Sequence, residues 1–593
     1  MAATGIQRVR FDIGWLYVQR RKDEPIDFRS ADAAVAAAEA AGLAVLPILG
    51  TAPNWARPVW EHLDDWSRFV ETVVARYGDR FDEVEIWNEP NGPEFGDHST
   101  QAANYLPVLR AAYAAAKKAN PNIRVLLGGL SNVPAGRGDF LDKLYDLGGA
   151  NFFDAVNVHP YSHPLPPEGR FDGALERLRR FMAEKGDAGK PVVVSETGFP
   201  THRASVGGIQ ILLTGLKVAK PEKASWRAVL AATIPGPDGK PPREIAEELE
   251  EALPAGSSVE ACFGARLKER LAAGDVDLVI YPFDESFPAD TFEEVRAFVE
   301  AGGVLADLGG GPMHYPLRES APGVFVAAKG AKPEEMRRAL RVCYRAFWDD
   351  PALYDGTVRA FPTEAAKAAG YKGDPAGERG GKRYQMPGYL REGDELIPLL
   401  TVRDGKGRDS AVASVTRLAG GGCVIISGFM GKGSQSAGEE GQARYLARTM
   451  AIAFAEGVEE FFWYEFRSPE TDPFYSEMNF GMTHQNFTPK PAWGAYRNFV
   501  LARPAGSVQT PGTWHDEKRE FFFPQWTRPD GTKAGILWTI GVPGKRALRF
   551  DGDKIRFRDY KGGLAFPART APDEYLVPLS GDPIYFEGGA LAE

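Results

Sequence analysis

Two glutamates stand where the chain could carry out proton transfer and displacement. Glu89 closes the apolar run VEIWNEP at 84–90, and Glu196 lies near the end of PVVVSETG at 191–198. Both runs read as parallel strands, and in a barrel of such strands the C-terminal ends share one mouth. Two carboxylates over one mouth are what glycosidic cleavage needs. One gives a proton to the leaving oxygen, and the other attacks, or activates water at, the anomeric carbon.

The elements that must position them follow from hydrophobic periodicity. From Arg8 to His202, short β-branched or apolar runs alternate with longer Ala-, Leu- and Arg-rich stretches of helical period, the pattern of parallel βα units. The spacing predicts strands at 8–13, 44–49, 84–90, 124–130, 155–161 and 191–198, with helices at 30–42, 66–78 and 104–120 between them. After Arg203 the alternation continues with a different character. Helices are expected at 243–253 and 290–303, and strands at 258–264, 275–283, 304–312, 395–402 and 423–430. A Gly-, Lys- and Arg-rich stretch lies around 367–382. The helix at 441–457 leads into VEEFFWYEFR at 458–467, which reads as one more barrel strand. Beyond Leu501, alternating segments with Gly and Pro turns predict a small antiparallel β domain. A chain of 593 residues exceeds what one core supports, so about three domains are expected. These are a (β/α)-barrel over 1–203 and 437–500, an inserted α/β domain over 204–436, and a sandwich-like C-terminal domain over 501–593.

On these motifs the chain resembles the large clan of (β/α)8 retaining glycoside hydrolases, nearest to family 39-like members. The resemblance covers Asn88 with Glu89, Glu196, His159-Pro160-Tyr161, Arg10, and Phe462-Trp463-Tyr464-Glu465. It continues through Asn479-Phe480-Gly481 and Lys490-Pro491-Ala492. In that clan the acid/base follows an Asn at the end of the fourth strand and the nucleophile ends the seventh. The resemblance therefore implies Glu89 as acid/base and Glu196 as nucleophile. Electrostatics supports those roles: Arg10 and Tyr161 would favour the charged form of Glu196, and partial burial beside a second carboxylate would keep Glu89 protonated. Asn88 could hydrogen-bond a sugar 2-hydroxyl.

Trp15, Trp55, Trp60, Trp463 and His202 fall at or just beyond strand ends, where aromatic faces can stack on sugar rings; packing is the competing use of each Trp. His159, His163 and His202 come from different elements without metal-ligand spacing, so no metal and no cofactor are expected. Cys262, Cys343 and Cys423 are odd in number and read as free thiols.

The insert resembles the class I glutamine amidotransferase-like fold, which also occurs as a non-catalytic domain in some β-galactosidases. The likeness rests on Asp277–Pro282 with Glu285-Ser286-Phe287, and on Gly302–Leu305 with Leu308–Gly311. An active member needs a Cys on the strand-to-helix turn where this chain has Gly-Gly-Gly, so the insert is expected to shape the cleft or to mediate a homo-oligomer. Counting Glu89 as a fourth-strand residue leaves the barrel's first strand unfound, so either the chain start is truncated or another segment or subunit is expected to fill the gap.

A net charge of −10 with scattered Lys and Arg leaves no footprint for nucleic acid. No apolar run spans a bilayer, and MAATGIQRVRFDIGW has no leader pattern. The expectation is a soluble protein, cytoplasmic, or secreted if the true N-terminus lies upstream. It acts on an oligosaccharide or glycoside. The alternative is a catalytically impaired carbohydrate-binding or scaffold protein derived from such an enzyme.

Overall fold

The structure is a computed structural model in which the described residues are 1, 4–163, 165–202, 208–233, 240–282, 285–321, 323–346, 360–373, 383–403, 407–429, 436, 438–473, 475–552 and 554–592. The expected boundary at 203–204 and most of the stretch 367–382 lie outside them, as does residue 437.

Strands β1 (Arg8–Asp12), β2 (Ala44–Leu49), β3 (Glu83–Asn88), β4 (Arg124–Ser131), β5 (Val156–His159), β6 (Val192–Val194) and β7 (Glu460–Phe461) lie side by side in that order as one parallel sheet. Helices on its outer side fix the curvature. The helix Leu63–Tyr77 shows how: Trp66, Phe69, Val70, Val73, Val74 and Tyr77 recur at helical spacing and are buried. Asp64 and Asp65 in its first turn and Arg76 in its last complement the helix dipole.

Alternate strand residues point inward. Leu46, Leu126, Ala155 and Val193 meet as an inner apolar layer with Phe462 packed against it. Beneath it runs an ionic layer. Glu83 is paired with Arg124 at 2.9 Å and Arg8 at 3.5 Å, and Arg8 reaches across from β1 to Glu460 on β7 at 3.3 Å. Burial, reinforced by neighbouring Glu460, pushes the Glu83 carboxyl up despite those arginines. Among the described residues neither β1 nor β7 has a strand on its other edge. The sheet is thus parallel and barrel-like with an open seam, spanned by the Arg8–Glu460 pair.

Most observed elements fall within the predicted ones, but the run 191–198 is a strand only over Val192–Val194, which leaves Glu196 beyond its end, and 304–312 only over Val304–Asp307; the last barrel strand departs as well. The expected run 458–467 pairs regularly only at Glu460–Phe461. Beyond it, Phe462 N–H bonds Val194 and Tyr464 N–H bonds Thr197, and Tyr464 O approaches Gly198 so closely that a Cβ there would sit 1.9 Å away. Beyond Phe461 the segment thus stays beside Val194–Gly198 but leaves regular strand pairing.

Between 227 and 427, strands Ser258–Cys262, Arg227–Ala231, Leu278–Tyr281, Val304–Asp307 and Cys423–Ser427 lie adjacent and parallel. The sheet continues antiparallel from Asp409–Arg417 outward. Along Ala228–Ala231 successive side chains enter two different cores, so both faces are covered. Towards the C-terminus the chain forms a seven-stranded and a three-stranded sheet, both antiparallel. Glu168 joins this region to the barrel. It accepts from Arg448 Nε and from Trp538 Nε1, each at 2.7 Å, and all three side chains are buried. Among the described residues no helix is long and apolar enough to cross a membrane.

Candidate active site

Arg10 is the hub of the mouth. Its inward position on β1 puts the guanidinium between Glu85 of β3 and Glu196, just beyond the end of β6. Nε and Nη2 donate to Glu85 at 2.6 and 2.9 Å, Nη1 donates to Glu196 Oε2 at 2.9 Å, and Nη2 also donates to Asn88 Oδ1 at 2.8 Å. Glu85 is wholly buried and also accepts the Gly129 N–H at 2.9 Å. Burial opposes charge on both partners. For each the opposite charge and the hydrogen bonds win, so Arg10 is held above and Glu85 below its ordinary range. The fork–fork geometry supplies that strength.

Glu196 accepts on both oxygens, Oε2 from Arg10 and Oε1 from the Tyr161 hydroxyl at 2.8 Å. Burial, then the Glu196 charge, raises the Tyr161 phenol well above its ordinary value, so it stays a donor. Glu89 faces a different partner: its Oε1 lies 3.0 Å from His159 Nδ1, and His159 Nε2 lies 3.0 Å from Ser195 Oγ and 3.5 Å from Arg10 Nη2. Arginine only donates, so the positive fork beside Nε2 favours the tautomer with the proton on Nδ1, pointing at Glu89. Oxygens of Glu89 and Glu196 and a nitrogen of His159 lie within 4.8 Å of one another. These three groups could geometrically hold a cation, but Arg10 and Tyr161 already occupy both oxygens of Glu196.

The backbone is shaped for this arrangement. Trp87 and Glu89 have φ of 74° and 47°, a region costly for residues with a side chain and one where strain gathers at working sites. The turn is held by Glu89 N–H to Gly129 O at 3.0 Å. Gly129 also leaves the space His159 occupies: a Cβ there would lie 2.0 Å from His159 Nε2.

Of the residues singled out from sequence, Glu89, Glu196, Arg10, Asn88, His159 and Tyr161 converge. Trp463 is half-buried on the segment beyond Phe461, stacks near Phe199 at 6.1 Å, and its Nε1 has no acceptor among the described residues. His202 is buried, with its carbonyl accepting from Ser436 at 2.6 Å. Trp15 corrects an expectation. It is fully buried, edge-on to Trp55 and stacked on Phe69 at 5.6 Å, and donates its indole N–H to Gln19, so it has no free face for a sugar. Trp55 and Trp60 pack against the same core and keep part of their surface.

Three participants, Glu85, Ser195 and Glu477, escaped the sequence reading. Glu85 carried a signal, since a charge at an inward position of a parallel strand must be paired. Ser195 carried none. Glu477 and Glu465 stand close enough to the mouth to feel it. Burial first, then Glu196 and Glu89, raises Glu477, while burial and Glu477 push Glu465 up to about 7.

No protein-family model matches the chain, and no curated protein matches it. Solved structures are similar at low identity. A family 39 glycoside hydrolase from Bacteroides cellulosilyticus WH2 aligns at 17% identity and TM-score 0.46, over 99% of this chain and 76% of its own. The family 39 enzyme from Xanthomonas axonopodis pv. citri aligns at 11% and 0.42, over 100% and 89%. A β-galactosidase from Bacillus circulans sp. alkalophilus aligns at 11% and 0.32, over 99% and 95%.

Proposed function

We propose that the chain is a retaining glycoside hydrolase in which Glu196 is the nucleophile and Glu89 the acid/base. The observation that carries this reading is that one oxygen of Glu89 and one of Glu196 lie within 4.8 Å of each other, each carboxylate with its own donors. Retention uses carboxyl groups about 5–5.5 Å apart, whereas inversion needs roughly 6.5–9.5 Å to admit a water.

Glu196, held by Arg10 and oriented by Tyr161, attacks the anomeric carbon through one oxygen. The glycosidic bond breaks, and its electron pair goes to the leaving oxygen, which takes the proton of Glu89. Because His159 Nδ1–H occupies Oε1 of Glu89, that proton sits on Oε2. Glu89, now ionised, takes a proton from water, whose oxygen attacks the same carbon and releases Glu196. Asn88 offers its amide NH2 to the 2-hydroxyl while its Oδ1 is fixed by Arg10. Trp463 lines the sugar site, and the substrate is a neutral glycoside.

The region 204–436 is an inserted unit of amidotransferase-like descent without that chemistry, and residues from 501 form a separate β unit. In the insert, Cys262 is buried and its thiol is pushed up to about 12, while the turn after Val304–Asp307 carries glycines. A homo-oligomer through the insert completes the reading.

The test is turnover of a panel of aryl glycosides, with trapping by a 2-fluoro sugar and mass mapping of the labelled peptide. Glu196→Ala should abolish turnover and labelling. Glu89→Ala should most slow substrates with poor leaving groups. If neither change lowers activity on any accepted substrate, the assignment fails. The open seam beside β1 favours a second reading, a sugar-binding protein without turnover, which saturable binding without hydrolysis across the panel would select.

A further inference from the structure

Tyr161, the donor to Glu196 Oε1, lies two residues beyond the end of β5, so strand pairing does not fix it. It opens the loop that runs to the helix Phe171–Glu184. The rings around it are His163, edge-on at 5.4 Å, and Phe480 at 5.9 Å. Burial, then the Arg170 charge, lowers His163 to about 3, so it packs as a neutral ring. Such contacts fill the space around the Tyr161 ring, and the course of the loop is left to aim its hydroxyl.

That loop is gripped by a hairpin from much later in the chain. Strands Tyr315–Ala321 and Val324–Ala327 pair antiparallel, and Ser286–Pro288 lies parallel to the first. Leu165 of the loop is buried against Leu317 and Phe325 of the hairpin. Its N–H donates to Ser162 O at 2.9 Å, which ties this apolar knob to the residue next to Tyr161. Gly169 passes so near that a Cβ on it would lie 3.8 Å from the Ala327 Cβ. Arg170 sets its guanidinium 4.2 Å from the Tyr315 ring centroid and donates from Nη2 to the Tyr315 hydroxyl at 3.1 Å. That hydroxyl is bonded to Glu285, which pairs with Arg383. The hairpin is itself fixed elsewhere. Val326, on the face opposite Phe325, joins the hydrophobic core of the barrel, and Ser320 Oγ donates to Ile540 O at 2.9 Å. Glu168, in the same loop, is held separately by Arg448 and Trp538, but Leu165 is the anchor nearer to Tyr161.

We infer that Leu165 is a positioning residue for the displacement: seated in the hairpin, it holds the turn that aims the Tyr161 hydroxyl at Glu196. The catalytic half of this inference rests on the function proposed above; the grip on Tyr161 does not. A group misplaced by about 1 Å can cost about 100-fold in rate, so a support this far from the reacting atoms still acts on them.

The grip is read without turnover. Tetranitromethane nitrates a phenol through its phenolate, so a buried hydroxyl held on a carboxylate reacts slowly, and mass mapping follows Tyr161 by itself. Leu165→Ala should raise the Tyr161 nitration rate at least fivefold, while Tyr105, buried in the barrel with its hydroxyl on Ile86 O, changes less than twofold. Leu165→Met, which keeps the knob, should restore the parent rate. If Leu165→Ala does not fold, Tyr315→Phe, which removes the hydroxyl that Arg170 engages, should raise the Tyr161 rate at least twofold in its place. The absence of a selective rise in a folded variant overturns the inference. On an aryl glycoside that the parent hydrolyses, Leu165→Ala should lower kcat at least tenfold with KM within threefold. In a Tyr161→Phe background the same change should lower kcat less than twofold, since its effect passes through the hydroxyl already removed. Equal losses in both backgrounds would make Leu165 a packing residue only and overturn its positioning role. A parent protein that hydrolyses no glycoside of the panel overturns the proposed function and the catalytic half with it, while the nitration rates still decide the grip.

Discussion

Arg10 holds Glu85 and Glu196 on one guanidinium, with Nε 2.6 Å from Glu85 Oε2 and Nη1 2.9 Å from Glu196 Oε2. A structural and a chemical carboxylate thus depend on one cation. Arg10→Met should leave Glu85 buried and unpaired, at a cost of about 3–5 kcal/mol. Arg10→Met with Glu85→Gln should recover much of that stability in urea titrations but none of the turnover. Recovery of both would mean that the contact to Glu196 is dispensable.

Gly129→Ala should displace His159, since the added Cβ meets Nε2 at 2.0 Å. Overpacking of this kind costs about 1–3 kcal/mol. The measured sign would be a lower kcat together with a changed basic limb of the pH–rate profile, because the ring that donates to Glu89 has moved. An unchanged profile would detach His159 from the acid/base.

Trp15 and Trp463 should separate under truncation. Trp15→Ala removes a fully buried indole from a cluster with Trp55, Trp66 and Phe69, and should cost about 3–5 kcal/mol with KM unchanged in the folded fraction. Trp463→Ala should do the reverse, raising KM with little change in melting. The pair of measurements distinguishes packing from a sugar platform.

Glu465, pushed up to about 7 by burial and by Glu477, links stability to pH. Its raised value means the fold favours the protonated form. The contribution is full below the ordinary value of 4.5 and is lost as pH rises through about 7. A shift of this size is worth about 3 kcal/mol, reduced to about 1 kcal/mol by partial hydration. Glu465→Gln, neutral throughout, should therefore gain on the parent by roughly 1 °C in Tm between pH 5 and pH 8. A constant difference across that range would show that Glu465 does not titrate there.

The parallel half of the molecule was legible because periodicity reports burial directly. Ala44–Leu49 was predicted to the residue, and the helices at 29–40, 63–77 and 101–119 fall within three residues of their sequence bounds. The two glutamates were visible because they end apolar runs. What was not visible depends on contacts made far along the chain. Trp15 looks like a rim aromatic until helix Leu63–Tyr77 brings Trp66 and Phe69 against it. The last strand looked ten residues long because an apolar run does not reveal a backbone contact such as that of Tyr464 with Gly198. Ser195 is a small residue in a buried run, and only its place between His159 and Glu85 gives it a role.

Glu168 bears on how far the parts of this chain are separable. Its carboxylate is held by Arg448, which belongs to a barrel helix, and by Trp538, which belongs to the terminal sheet. A cut after the helix Pro491–Ala502 respects every boundary that pattern and turn chemistry suggest. It would nonetheless strip the indole donor from a buried ion pair and uncover the wall it stands in. Modularity in the sequence and cooperativity in unfolding are therefore drawn along different lines, and the terminal sheet should melt with the barrel, in a single transition.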